Sequence, residues 1–170
     1  ERAINTVCES SLCPNMTECF SRKDATFLIL GKACTRSCGF CSVKKDLPGN
    51  IDPEEHQKIA DFVKLLNLKY VVITSVTRDD LRDGGASQFV KVIEAIRRVS
   101  FDSRIEVLVP DFGGRRESIE KVLESKPAVF GHNIETVKRL YPIVRSGASY
   151  SGSLDLLKMA KDMDPRQLTK

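Results

Sequence analysis

Cys34-Thr35-Arg36-Ser37-Cys38-Gly39-Phe40-Cys41 places three thiols within eight residues, spaced C-x3-C-x2-C. One tight loop with that spacing can wrap three thiolates around a single metal centre. The number of ligands is informative. A structural zinc site closes with four protein ligands, whereas a cubic iron–sulfur cluster held by three cysteines keeps one iron open to a small molecule. The loop follows an apolar run, Thr26-Phe27-Leu28-Ile29-Leu30. In a parallel α/β protein, the carboxyl end of such a strand is where sites are built. A zinc knuckle or a set of structural thiols is the plainer alternative for these eight residues alone.

Upstream lie Cys8, Cys13 and Cys19, spaced C-x4-C-x5-C, so all six cysteines precede residue 42. Front-loaded cysteine clusters without a signal peptide suggest metal ligation in a reducing compartment. Pro14, Asn15 and Ser10-Ser11 favour turns, so residues 1–24 are expected to form a loop-rich extension folded around its own ligands. A disulfide plus a spare thiol is the alternative, weakened by the adjacent second triad. Asn15-Met16-Thr17 matches a glycosylation sequon, a chance match without secretion.

The chain of 170 residues is of single-domain size, with a formal net charge of +4. That mild excess tolerates an acidic partner and does not argue for nucleic acid. No apolar run is long enough to span a membrane, and no dinucleotide fingerprint or phosphate loop is present.

Downstream of the thiol loop, strand and helix patterns alternate. Residues 25–30 are continuously apolar, as in a strand covered on both faces. Asp52, Pro53 and Glu55 read as N-cap, N1 and capping-box partner. Ile59, Phe62, Val63 and Leu66 then give one apolar helix face. His56 falls outside that set and is expected in solvent. Tyr70–Thr74 is a second strand, with Thr74, Ser75, Arg78, Asp79, Asp80 and Asp83 crowding its exit; Asp83 is readable as no more than a cap. Phe89, Val92, Ile93 and Ile96 mark a helix whose end carries Arg97 and Arg98, complementing the dipole. Ile105–Val109 is a third strand, and Ile119, Val122 and Leu123 face inward from the helix after it. Ala128–Phe130 is a fourth strand. Glu135, Val137 and Leu140 belong to a brief helix ended by Pro142. Ser153 is expected to cap a last helix with Leu154, Leu157 and Ala160 on one face. Such alternation argues a parallel sheet.

The thiol loop, with Phe40 before the third cysteine, resembles that of the radical S-adenosylmethionine (SAM) enzymes. The resemblance extends to one family among them. Cys8-Glu9-Ser10-Ser11-Leu12-Cys13-Pro14-Asn15-Met16-Thr17-Glu18-Cys19 is similar to the auxiliary-cluster segment of the lipoyl synthases. Arg78-Asp79-Asp80-Leu81, Val109-Pro110-Asp111-Phe112, His132-Asn133-Ile134-Glu135-Thr136-Val137 and Arg145-Ser146-Gly147-Ala148-Ser149-Tyr150 carry it almost to the end of the chain.

The resemblance implies a partial (β/α)6 TIM-like barrel of the radical SAM type, with about four β/α units in residues 25–170 behind the extension at 1–24. The family's remaining strands and its C-terminal serine ligand are not supplied. The chain is therefore expected to be part of a longer protein, its fourth strand left with an open edge near Thr169-Lys170. Cys34, Cys38 and Cys41 would hold a [4Fe–4S] cluster whose open iron binds SAM, and one electron then yields methionine and a 5′-deoxyadenosyl radical. Phe40, Thr74, Ser75, Asn133, Glu135 and Arg145 are the candidate SAM contacts. For Asn133, Glu135 and Arg145 a turn residue, a helix-end charge and a surface cation are the plainer roles. Cys8, Cys13 and Cys19 would hold a second [4Fe–4S] cluster, the sulfur donor for C6 and C8 of an octanoyl chain.

The implied partners are an octanoylated lipoyl-carrier protein (an H protein or E2 lipoyl domain) and a ferredoxin- or flavodoxin-type reductant, with no nucleic acid or membrane. Lys44, Lys45, Arg115 and Arg116 are possible carrier contacts, or simply solvated charges. The implied location is the cytoplasm, or a mitochondrial or plastid matrix in a eukaryote. A methylthiotransferase-like radical SAM enzyme and a non-catalytic Fe–S or zinc module are the alternatives.

Overall fold

Apolar strands that must be covered on both faces find that cover in a parallel sheet backed by helices. The computed structural model describes residues 4–170. Its elements begin with α1 (Val7–Ser10), α2 (Met16–Ser21) and β1 (Asp24–Ile29). Two short strands, β2 (Ala33–Cys34) and β3 (Lys44–Lys45), bracket the thiol loop. Next come α3 (Glu55–Leu66), β4 (Tyr70–Ser75), α4 (Ala86–Val99), β5 (Arg104–Leu108), α5 (Arg116–Glu124) and β6 (Val129–Gly131). The chain continues through α6 (Tyr141–Val144) to α7 (Tyr150–Met163).

The main sheet has the order β1-β4-β5-β6, every pair parallel. Leu28, Thr74, Leu108 and Gly131 stand side by side across it. Side chains alternate between the faces of a strand. On β4, Val71 and Ile73 are fully buried among Ile59, Val63, Phe89, Val92 and Ile93 of α3 and α4. Val72 and Thr74 point to the other, half-buried face. This concave face is the inner wall of a partial barrel.

Two short helices stand among the turns of the extension. Thr6 Oγ1 accepts the Glu9 amide at 3.2 Å and starts α1, and α2 follows one turn later. Both helices are too short for sequence periodicity to register. Asn5 and Thr6 also pair with β1: the Leu28 amide donates to Asn5 O at 2.9 Å, and Thr6 bridges antiparallel to Phe27. The edge of β1 is thus covered. The edge of β6 is not left open either. Phe130 and His132 amides donate to Leu168 O and Lys170 O at 2.9 and 3.0 Å, and Thr169 bridges parallel to Phe130.

Three helix-end readings need correction. Glu55 forms no capping box; its carboxylate accepts the Leu30 amide at 3.0 and 3.1 Å and Gln88 Nε2 at 2.8 Å. Arg97 and Arg98 do stand in the last turn of α4, and Arg97 also serves the next unit, donating to the carbonyls of Ser125 and Lys126 beyond α5. Pro142 stands in the first turn of α6 and does not end a helix, because its missing N–H costs nothing there. Ser149, not Ser153, caps α7, accepting the Gly152 amide at 2.9 Å. The inner face of α7 is Ser153, Leu156 and Ala160, and Leu154 is 42 % exposed. His56 is half-buried, its Nδ1 secluded without a partner. Asp83 caps α4, accepting the Gly85 and Ser87 amides at 3.0 and 2.8 Å. Among the described residues no helix is long and apolar enough to cross a membrane.

Candidate active site

The parallel strands of the main sheet deliver their carboxyl ends to one side, and the thiol loop lies across them. Leu30 and Gly31, with φ of +69° and +97°, turn the chain out of β1. Two partners fix that turn: Glu55 takes the Leu30 amide, and buried Arg78 donates to Leu30 O at 3.2 Å. The loop is then stitched to the exit of β4, where the Thr35 amide donates to Thr77 O at 3.1 Å. Cys34 Sγ accepts the amides of Thr77 and Arg36 at 3.3 and 3.5 Å. The Gly39 amide donates to Val144 O at 2.9 Å, which brings α6 against the far side of the loop.

Arg36 makes the strongest of these ties. Its Nε and Nη2 each donate to Asp79 at 2.8 Å, and its Nη1 and Nη2 to Asp111 at 2.6 and 2.8 Å. Burial alone would lower the pKa of this guanidinium, but hydrogen bonds and charge from Asp79 and Asp111 hold it above its ordinary value. The Arg36 hydrogen bond in turn holds Asp79 below the usual carboxylate range. Burial pushes Asp111 upward, and Arg36 with the Gly113 amide more than reverses this.

Beneath the loop is a cavity of about 380 Å³. Cys34, Cys38 and Cys41 all line it. So do all six residues expected to touch SAM: Phe40, Thr74, Ser75, Asn133, Glu135 and Arg145. They differ in availability. Thr74 Oγ1 is already committed to Leu108 O at 2.9 Å. Ser75 Oγ is buried with no partner. Phe40 is 52 % exposed at the rim. Asn133 Nδ2 donates to Glu135 Oε1 at 2.8 Å, and Glu135 sits at a φ of +66°, uncommon outside glycine.

Arg145 belongs to a polar cluster that sequence reasoning did not assemble. Its Nη1 donates to Asn133 O at 2.6 Å and reaches Tyr141 Oη and Ser153 Oγ at 3.0 Å. His132 Nδ1 lies 2.8 Å from Val109 O, and its Nε2 3.0 Å from Ser153 Oγ. A carbonyl only accepts, so Nδ1 carries the proton. Burial pushes the His132 pKa down, and this imidazole is neutral near pH 7. Among the described residues no carboxylate forms an ion pair with Arg145, so its charge remains available to the cavity.

The donor set fits an iron–sulfur cluster. All six cysteines are free, and soft thiolates are the ligands such clusters take. The three loop thiols sense one another: burial pushes the Cys38 thiol up, Arg145 opposes this, and Cys34 and Cys41 add to it. Two backbone amides aimed at Cys34 Sγ suit a charged sulfur. Among the described residues no three His, Cys, Asp or Glu side chains converge as the ligands of a single ion would. The second triad is held by α1 and α2. The Cys13 amide donates to Cys8 O and the Cys19 amide to Asn15 O, both at 3.0 Å. Cys8 is buried, Cys13 and Cys19 half-buried. Val7 and Ser11, on either side of Cys8, line the same cavity as the loop thiols.

Of the possible carrier contacts, Lys44 pairs with Asp46 at 2.6 Å, Arg115 donates to Phe112 O at 2.8 Å, and Lys45 and Arg116 are exposed.

Two solved structures share the fold. Methylornithine synthase superimposes with a TM-score of 0.61 at 17 % identity, over 81 % of this chain and 41 % of that one. Coproporphyrinogen III oxidase from Escherichia coli, a radical SAM enzyme, gives 0.53 at 12 % identity, over 84 % of this chain and 35 % of that one. Sequence relatives are much nearer. The lipoyl synthase of Caldicellulosiruptor saccharolyticus is 56 % identical over 168 residues, which are 99 % of this chain and 59 % of that protein. The lipoyl synthase of Aquifex aeolicus is 56 % identical over 167 residues, 98 % of this chain and 60 % of that protein. The chain thus spans about three fifths of the length of these relatives. The radical SAM superfamily model matches residues 28–166, from the inner end of β1 to beyond α7, and with the thiol loop across a parallel partial barrel this chain belongs to that superfamily.

Proposed function

We propose that this chain is the cluster-bearing part of a lipoyl synthase. The reaction is sulfur insertion at C6 and C8 of an octanoyl chain carried on a lysine of a lipoyl-carrier protein, with a low-potential ferredoxin- or flavodoxin-type protein as electron donor. The observation that carries the reading is the shared cavity. The thiols Cys34, Cys38 and Cys41 line it from the loop, and Val7 of α1 and Ser11 just beyond it line it from the extension. The segment that carries the second triad therefore reaches the chamber that the loop thiols line. The names of the relatives support the same reading. Free thiols throughout suit a reducing compartment such as the cytoplasm or an organelle matrix.

Cys34, Cys38 and Cys41 would hold the cluster that binds SAM, and Cys8, Cys13 and Cys19 the cluster that supplies sulfur. When bound, the first cluster and SAM supply a radical able to take hydrogen from an unactivated C–H bond, chemistry that no side chain performs. The chain's own residues bind, orient and exclude water. Arg145 presents a cation suited to a carboxylate, and the Glu135 carboxylate suits an ammonium. Ser75 Oγ offers a hydrogen bond that nothing else satisfies. Phe40 gives a flat apolar face at the rim. Leu28, Val43, Val76, Leu108 and Val109 line the cavity with apolar surface against which water gains nothing.

The test uses the full-length protein, reconstituted anaerobically. Two full clusters require about eight iron atoms per chain. Cys34→Ala abolishes SAM cleavage, while Cys13→Ala keeps cleavage and loses lipoyl formation. Zinc without iron, or normal lipoyl formation by Cys13→Ala, defeats the reading.

A further inference from the structure

We propose that Arg36 is a positioning residue for the metal centre of the thiol loop, setting the hydrogen bonds on Cys34 and through them the centre's stability and potential. The inference rests on that loop holding an iron–sulfur centre and on no part of the sulfur chemistry.

An arginine in such a loop could serve an anionic ligand directly. Arg36 borders the cavity, but its donors are already spent on carboxylates. Its side chain is 11 % exposed. All four of its hydrogen bonds go to two carboxylates, Asp79 and Asp111, at 2.6 to 2.8 Å. Two negative charges over-neutralise one positive charge, so no net cation is left for a ligand. Its aliphatic stem is enclosed too. Gly147 stands over it at a φ of +81°, where an added Cβ would come within 3.3 Å of Arg36 Cδ.

What the two forks do is join three loops. Asp79 lies beyond β4 and Asp111 beyond β5, while Arg36 itself lies between Cys34 and Cys38. Thr35 reinforces the first joint, its Oγ1 accepting the Asp79 amide at 3.1 Å. The Gly113 amide, at 2.9 Å, reinforces the second. The two amides aimed at Cys34 Sγ belong to Arg36 and to Thr77, two residues before Asp79. Both therefore hang on the Arg36–Asp79 joint. Hydrogen bonds to a cluster's sulfurs stabilise its more negative, reduced form and raise its potential. Residues that orient metal ligands from behind govern affinity as well. A lysine cannot replace this arginine, since one ammonium lacks the planar double fork.

The experiment compares Arg36→Lys, Asp79→Asn and Asp111→Asn with the parent in full-length, anaerobically reconstituted protein. Three quantities are read: iron loss to a chelator, the midpoint potential of each centre by spectroscopic titration, and thermal unfolding of the metal-free form. The centre held by Cys8, Cys13 and Cys19 is the internal reference. Arg36→Lys and Asp79→Asn are expected to shed loop-bound iron about 10- to 100-fold faster and to move that centre's potential to more negative values. The reference centre keeps its parent values. Asp111→Asn, which breaks the joint farther from Cys34, shifts the same quantities in the same direction by less. Should Arg36→Lys fail to fold, Asp79→Asn decides alone, since its amide keeps the shape and one acceptor. Folded variants with parental lability and potential overturn the proposal. Equal losses from both centres also overturn it, as the mark of a general structural role. Absence of loop-bound iron in the parent protein would instead strike the functional reading itself.

Discussion

Thr74 and Ser75 are adjacent hydroxyls at the end of β4 with different partners. Thr74 Oγ1 is spent on Leu108 O, whereas Ser75 Oγ is buried and unpartnered. Ser75→Ala should leave unfolding of the metal-free protein within about 0.5 kcal/mol of the parent, because no hydrogen bond is lost. SAM affinity should fall about five- to tenfold, the worth of one hydrogen bond. Equilibrium dialysis of SAM checks this, and unchanged affinity would remove Ser75 from the site. His132 gives a pH prediction. Burial lowers its pKa beneath the ordinary 6.5, so the unfolded chain takes up the proton first as pH falls. Stability is full above about 6.5 and declines as pH drops from there toward the folded-state pKa. Asp79 and Asp111, held below 3.8, act only at lower pH. Urea unfolding at pH 7.5 and 5.5 should show the decline in the parent and its absence in His132→Gln. Individual roles were only partly legible in the sequence. Cys34, Cys38, Cys41 and all six SAM candidates border one cavity, since motif residues at strand ends converge by topology. Arg36 went unassigned because its partners lie 43 and 75 residues away, beyond any local pattern.

At the scale of elements, apolar periodicity located every strand of the main sheet and helices α3, α4 and α5, because the same residues that repeat are those that bury. Helix ends were less legible. Capping is decided by which of several nearby hydroxyls or carboxylates meets a free amide, and Ser149, Ser151 and Ser153 all stood near the start of α7. Ser149→Ala should cost about 1 kcal/mol, the usual worth of an N-cap, measured as a shift in urea midpoint. A loss below about 0.3 kcal/mol would mean that α7 does not depend on its cap. Close packing also hid a constraint at the start of α4. Gly85 has a φ of +94°, and a Cβ there would come within 2.2 Å of Leu30 Cδ1, so the helix start sits directly under the turn that launches the thiol loop.

For the whole molecule, the sheet is protected at both sides by segments far apart in sequence. Asn5 and Thr6 cover β1, and residues 168–170 lie along β6. The alternation of strands and helices made the barrel legible; these two edge pairings were not, being too short to have a period. The extension thus does more than carry three cysteines. Removing residues 4–22 should uncover the edge of β1 and part of Phe27, and exposed edges invite association. Size-exclusion chromatography of the full-length protein without those residues should show aggregates, while Cys8→Ala, Cys13→Ala and Cys19→Ala together should remain monodisperse. Equal behaviour of the two would confine the extension to metal binding.

The double fork of Arg36 also governs the order in which the chain matures. Arg36 leaves the ribosome 75 residues ahead of Asp111, a delay of roughly 4–15 s at ordinary synthesis rates. Until then the loop has only its first anchor, at the exit of β4. Iron delivered earlier meets a loop fastened at one side only. Stalled nascent chains ending before residue 111 should therefore leave the amides of residues 34–41 open to hydrogen exchange, and chains ending well past α5 should begin to protect them. Protection in the shorter chains would show that the loop organises without its second anchor.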